Sequence, residues 1–185
     1  CRHVLSRYAP VPPEEWRFVL GSRGKPAVAA PALPSPLWFN LSHTDGVSVC
    51  AVTGAGPEIG IDIERIALGH DALEIAEQFF PEVEANALRL LPAAQRDETF
   101  VRIWALKESF VKARETSLAD GIYGTAFDLA RPDDIGVTFS EPLHERAQEW
   151  QFNLFRLDLA RIVALAVRTQ TTGPLSLRAG TCLEL

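Results

Sequence analysis

The 185-residue sequence contains no methionine and only three cysteines, Cys1, Cys50 and Cys182. The cysteines are too widely spaced for a C-x-x-C pair, so neither a zinc site nor a disulfide framework is indicated. Reduced thiols in a cytosol are expected. No apolar run approaches the roughly 20 residues of a membrane-spanning helix, because charge, Gly or Pro soon interrupts each one. The opening residues lack the basic-then-apolar pattern of a secretory leader. A soluble, cytoplasmic protein without a membrane partner is the expectation. Positive charge is also scarce: 18 Lys and Arg face 24 Asp and Glu, for a formal net charge of −6. This balance argues against a nucleic-acid partner held by bulk charge, and an anionic ligand would need a local basic cluster. The lack of Met, with Cys at position 1, is expected of a segment numbered from within a longer protein.

What is present is an ordinary globular composition, 47% hydrophobic and 23% charged, enough for one large domain or two small lobes sharing a core. Residues 1–8 read as a helical fragment and Trp16–Leu20 as a short strand. Residues 21–36 are rich in Gly, Pro and Ala and are expected to run as an extended loop without a regular ladder. Strands are predicted over Leu37–Leu41, Gly46–Thr53 and Glu58–Glu64. The last alternates most clearly, with Ile59, Ile61 and Ile63 on one face and Gly60, Asp62 and Glu64 on the other. Residues 70–91 have helical spacing interrupted by Pro81, and Glu98–Glu115 is the strongest helix. Strands are predicted again over Thr125–Leu129 and Ile135–Phe139, with a hairpin from Trp150–Leu157 into Arg161–Arg168. Strands and helices come in blocks rather than strict alternation, which argues for an α+β fold.

Several of these segments carry chemistry. Asp62 and Glu64 share a strand face about 6.5–7 Å apart, a spacing from which two carboxylates can converge on one hard cation; an ordinary solvated strand face has the same spacing. On the long helix, Phe100, Ile103, Trp104, Phe110 and Val111 form an apolar sector with Glu108 at its border and Lys112 one turn further. Lys107 falls inside that sector, where a solvated lysine is out of place. The plain alternative is one Glu108–Lys112 pair and a snorkelling Lys107. Ser42-His43 follows a strand and precedes a Thr44-Asp45-Gly46 turn, a plausible phosphate cradle or a simple polar strand end. A Ser–His nucleophile pair is disfavoured, because adjacent strand residues point to opposite faces. Lys25 lies between Gly24 and Pro26 in the irregular stretch. His3, His70 and His144 stand in no ligand-like spacing and are expected at the surface.

Together the motifs F-N-x-S-H (Phe39–His43), G-I-D-I-E (Gly60–Glu64) and W-x-x-K-E-S-F-x-K (Trp104–Lys112), with G-K-P at Gly24–Pro26, resemble the ordered set of the 4′-phosphopantetheinyl transferases. The resemblance is to the two-lobed, Sfp-type group. It implies two similar α/β lobes of antiparallel sheet packed with helices, related by a pseudo-twofold axis. Residues 1–55 would be the remainder of an N-terminal lobe and 56–185 the C-terminal lobe with the metal site. Family members of this type have further chain before the point where Cys1 falls, so the first lobe is expected to be N-terminally incomplete in this numbering.

The resemblance further implies transfer of the 4′-phosphopantetheine of coenzyme A to a serine of an apo acyl or peptidyl carrier protein, releasing 3′,5′-ADP. Asp62, Glu64 and Glu108 would hold Mg²⁺, with Mn²⁺ a possible substitute. Ser42 and His43 would contact the 3′-phosphate, and Lys25, Lys107 and Lys112 would line the phosphate chain. Glu108 and Lys112, with Asp62, would be catalytic. Glu84 resembles an acidic position near the family's active site. A monomer with an internal pseudo-dimer is expected, and Arg102 and Arg114 are candidates for docking an acidic carrier. Two other readings compete: a non-enzymatic coenzyme A- or carrier-binding relic of the same fold, and a metal-dependent nuclease or phosphodiesterase, which the acidic charge disfavours.

Overall fold

A computed structural model describes residues 1–66, 72–131, 134–169 and 175–181. A short helix α1 (Arg2–Leu5) precedes two hairpins, β1 (Arg17–Leu20) with β2 (Pro26–Ala30), and β3 (Trp38–Thr44) with β4 (Val47–Thr53). Strand β5 (Ile59–Arg65) is followed by helices α2 (Ala72–Phe79), α3 (Glu82–Leu90), α4 (Ala93–Arg114) and α5 (Leu118–Gly124). The strands β6 (Thr125–Asp128), β7 (Gly136–Phe139), β8 (Trp150–Arg156) and β9 (Arg161–Arg168) come last. Every described pairing is antiparallel, and helices and strands come in blocks, so the α+β expectation is met. His70 and Cys182 lie outside the described residues.

The site is positioned by a sheet of order β5-β9-β8. Its two faces follow from the alternation in β5. Ile59, Ile61 and Ile63 join Val163, Leu165 and Val167 of β9 against Trp38, Val47, Val49 and Ala51 of the β3–β4 hairpin. The opposite face is made of small residues: Gly60 of β5, with Ala164 and Ala166 of β9 packed against Ala105, Leu106, Phe110 and Ala113 of α4. Small residues on the sheet let a helix with bulky side chains approach closely, and the same face carries Asp62 and Glu64 toward α4. The polar face of β5 is therefore not a solvated one: Asp62 is 3% exposed and only Glu64 is partly open to solvent.

Helix α4 runs longer toward its N-terminus than its periodicity predicts, entering after Pro92, whose missing N–H costs nothing at a helix start. It ends at Glu115, which takes the left-handed conformation at φ 51°. Its far half packs against α2, α3 and α5 through Phe80, Leu88, Ile103 and Ile122, with Phe80, Phe100 and Trp104 stacked.

One expectation is corrected. Residues 21–36 do not form only loop, because Pro26–Ala30 pairs with Arg17–Leu20 as β2. Pro26 begins the strand, where its lack of an N–H is tolerated, and Gly24 supplies the positive φ (81°) of the connecting turn. Composition alone hid a strand of small residues. The Asp45-Gly46 turn of the next hairpin behaves as its residues dictate, with φ 42° and 77° suiting a tight two-residue connection.

Candidate active site

The site forms where β3, β5 and α4 meet. Asp62, its side chain 5% exposed, receives the Lys112 ammonium at 2.6 Å on Oδ1. The Ser42 hydroxyl donates to the same oxygen at 2.9 Å, and Lys112 Nζ also donates to Ser42 Oγ at 3.0 Å. Ser42 accepts a further, longer bond from the Ile63 N–H at 3.4 Å. The other Asp62 oxygen, Oδ2, is buried without a hydrogen-bond partner. A buried carboxylate oxygen left this way is costly unless something positive or a donor meets it.

Glu64 and Glu108 complete the acidic group. Burial pushes the Glu64 carboxyl up to about 7, and repulsion from Asp62 and Glu108 adds to this; Lys112 and a hydrogen bond from Trp104 pull the other way. Burial also raises Glu108, with Asp62 repelling it and Lys112 opposing. If all three carboxylates were ionised they would outnumber the one ammonium, and this crowding of half-buried negative charge opposes the ionisation of Glu64 and Glu108. The donors are all oxygen, the preference of hard divalent cations, and the orphaned Asp62 Oδ2 fits such an ion. Among the described residues, no three His, Cys, Asp or Glu side chains converge closely enough to ligate one ion.

The other predicted residues lie elsewhere. His43 is exposed and, as Ser42's strand neighbour, points to the opposite face of β3, so the two side chains do not form one cradle. Lys25 donates to the carbonyls of Pro57 at 2.9 Å and Ala113 at 3.4 Å, tying the first hairpin to the C-terminal end of α4. Burial lowers its pKa, with Glu115 and Glu58 opposing.

Lys107 departs from the expected phosphate-lining position. It is completely buried, 2.8 Å from Glu84 Oε2, and donates to the carbonyls of Ile122, at 2.9 Å, and Thr125. Its ammonium also lies 4.9 Å from the Phe80 ring centre. Glu84 Oε1 in turn accepts from the Phe127 N–H at 2.7 Å. Burial lowers Lys107 to about 8 and raises Glu84, against their mutual attraction. The pair is a pillar between α3, α4 and β6, on the far side of α4 from Lys112. The helical projection exposed Lys107 as a misfit, but its partner lies 23 residues upstream and no local pattern names it.

Sequence reasoning gave no role to Trp104, whose indole N–H holds Glu64, or to Asn40, whose Oδ1 accepts from Ile61 N–H at 2.9 Å. Trp104 had a signal, since an indole at the border of an apolar sector usually finds a polar partner. Pocket-sized openings lie away from these carboxylates: one of about 380 Å³ is bordered by Lys25, Val28, Leu33 and Trp38, and another of about 460 Å³ by Arg23, Arg114 and Tyr123.

Residues 58–167, more than half the chain, match the model of the 4′-phosphopantetheinyl transferase superfamily. The 4′-phosphopantetheinyl transferase HetI of Nostoc sp. is 37% identical over 118 residues, covering 64% of this chain and 49% of that protein. The 4′-phosphopantetheinyl transferase psf-1 of Bacillus pumilus is 34% identical over 144 residues, covering 78% and 58%. The 4′-phosphopantetheinyl transferase Sfp of Bacillus subtilis is 34% identical over 118 residues, covering 64% and 50%. The chain thus spans about half the length of the curated relatives it matches. The matched stretch contains β5 and α4, the two elements that bring Asp62, Glu64, Glu108 and Lys112 together, and the chain belongs to the 4′-phosphopantetheinyl transferase superfamily.

Proposed function

We propose that this chain transfers the 4′-phosphopantetheine of coenzyme A to a serine of an apo acyl or peptidyl carrier protein, releasing 3′,5′-ADP, with Mg²⁺ as the metal and Mn²⁺ as a substitute. The observation that carries the reading is the meeting of three segments far apart in sequence: Ser42, the Asp62/Glu64 strand face and the Glu108/Lys112 helix edge come together as one acidic, half-buried cluster. The superfamily model matches across two of these segments, and relatives bearing the transferase name are 34–37% identical to the chain over the stretches they cover.

Asp62, Glu64 and Glu108 would hold the cation. When bound, it supplies charge neutralisation on the pyrophosphate of coenzyme A. The carrier serine oxygen forms a bond to the β-phosphorus while the bond to the oxygen shared with the α-phosphate breaks, and that electron pair leaves with 3′,5′-ADP. The serine proton passes to Glu108, whose burial already raises its proton affinity. The Lys112 ammonium, held by Asp62 and Ser42, faces the negative charge that grows on the leaving group. Ser42 serves the carboxylate group rather than a solvent-facing cradle. Exposed His43 and the rim residue Lys25 are the candidates for the nucleotide phosphates, whereas Lys107 braces α4 from within.

In this reading residues 1–55 are the remainder of a first lobe and 56–185 the second, in a monomer that is an internal pseudo-dimer. Among the described residues no helix is long and apolar enough to cross a membrane.

The test is the intact mass of an apo carrier incubated with this chain, coenzyme A and Mg²⁺. One added phosphopantetheine is expected, abolished by chelation. Asp62→Ala and Glu108→Ala proteins should stay folded yet add none; near-normal turnover in either variant would refute the metal assignment.

A further inference from the structure

The edge of β5 that faces away from β9 has its amides met one at a time. Ile59 N–H donates to the Pro57 carbonyl at 2.9 Å, Ile61 N–H to Asn40 Oδ1 at 2.9 Å and Ile63 N–H to Ser42 Oγ at 3.4 Å. Asn40 and Ser42 are two residues apart on β3, and so are Ile61 and Ile63 on β5. The shared strand repeat lets two side chains on one face serve two alternating amides of the other strand. Asn40 is 4% exposed, so its acceptor competes with no bulk water. A strand edge would otherwise carry unpaired donors, and burying these unmet would be costly.

Asp62 sits between the two pinned amides. Its Oδ1 is held by Ser42 and Lys112, but its Oδ2 has no hydrogen-bond partner. The direction of that second oxygen follows from the two bonds to Oδ1 together with the backbone of β5, which Asn40 and Ser42 fix from β3. Ser42 also touches the carboxylate; the Asn40 bond is to the strand alone.

We propose that Asn40 is a positioning residue: its bond to Ile61 sets the orientation of β5, and with it the direction in which Asp62 and Glu64 present their carboxylates toward Glu108. This rests on the Mg²⁺-dependent transferase reading above. It assigns Asn40 no contact with a reacting atom.

The test is Asn40→Leu, with the same branched four-heavy-atom outline but without the acceptor, compared with wild type well below its melting temperature. Amide exchange at Ile61 should speed up at least about tenfold. The Mg²⁺ midpoint, read as metal-dependent thermal stabilisation with no substrate present, should rise about tenfold, as for residues that orient ligands from behind. Turnover should fall while KM for coenzyme A holds, because the loss is in carboxylate placement rather than nucleotide binding. Faster exchange at Ile61 with an unchanged midpoint and unchanged turnover would overturn the proposal and leave the bond a structural one. Should wild type itself show neither Mg²⁺ stabilisation nor transfer, the functional reading fails instead. A crystal structure of the variant then decides the inference: a shift of the Asp62 carboxylate relative to Glu108 by about 1 Å supports it, and an unmoved carboxylate overturns it. If Asn40→Leu does not fold, Asn40→Ala, whose space water can enter, carries the same comparison.

Discussion

Gly60 of β5 lies directly beneath Ser109 of α4, backbone against backbone. A β-carbon on Gly60 would sit 2.5 Å from the Ala113 nitrogen and closer still to the Ser109 carbonyl oxygen. Neither atom is the end of a flexible side chain, so a methyl group there can be accommodated only by moving the helix off the sheet. That same spacing places Glu108 and Lys112 over Asp62. Gly60→Ala should therefore cost about 3 kcal/mol in stability, seen as a melting temperature lower by about 6–12 °C for a chain of this size. Lys112 should also lose its contact with Asp62. A variant that melts like wild type would show that α4 and β5 are not in fixed register.

The acidic strand was legible because alternation is local: Ile59, Ile61 and Ile63 against Gly60, Asp62 and Glu64 needs no knowledge of the rest of the chain. The helix edge of Glu108 and Lys112 was legible for the same reason, at period 3.6. What lay hidden is set by contacts between distant residues. That the polar face of β5 is covered depends on the small residues Ala164 and Ala166, a hundred positions later, which admit α4. Ser42 turns inward because Asp62 and Lys112 lie there, and nothing in F-N-x-S-H distinguishes an inward hydroxyl from a solvent-facing one. Strand β2 was missed because its Pro and Ala residues carry little strand preference and its partner β1 supplies the order.

The Lys107–Glu84 pair makes a prediction about stability. Lys107→Met alone leaves Glu84 buried, hydrogen-bonded to Phe127 N–H but without its counter-charge, and should cost about 3–5 kcal/mol. Adding Glu84→Gln removes the second charge and keeps an acceptor for Phe127, so the double variant should recover most of that loss. Urea unfolding of the two single variants and the double variant measures this. Additive losses would show that the charges are not coupled.

Glu64 gives a pH signature. Its carboxyl is raised from 4.5 to about 7, so between those values the folded protein holds more protons than the unfolded chain, and stability falls as pH rises through that window. Glu64→Gln removes the charge while keeping an oxygen for the Trp104 indole. With the partly exposed carboxylate screened by solvent, a gain of about 2–4 °C over wild type is expected at pH 7.5, vanishing below pH 4.5. Mg²⁺ should stabilise wild type at pH 7.5 more than it stabilises Glu64→Gln. Equal melting differences at both pH values would count against repulsion as the cause.

The last prediction concerns the carrier. In an acidic chain, attraction to an acidic partner must come from a few local cations, and the two candidates on α4 are not equivalent. Arg114 is already paired with Glu145, whose side chain is 1% exposed, so its charge is largely neutralised and its loss should appear mainly as reduced stability. Arg102 lies two residues from Trp104 and six from Glu108 on the helix that carries the site, where a positive charge can orient an approaching serine. Arg102→Glu should slow carrier association about tenfold at low salt, and the difference from wild type should shrink as NaCl is added, because screening removes steering before it removes contact. Stopped-flow association over a salt series reads both effects. If Arg114→Ala slowed association and Arg102→Glu did not, docking would lie at the C-terminal end of α4, beside the polar opening bordered by Arg23 and Tyr123.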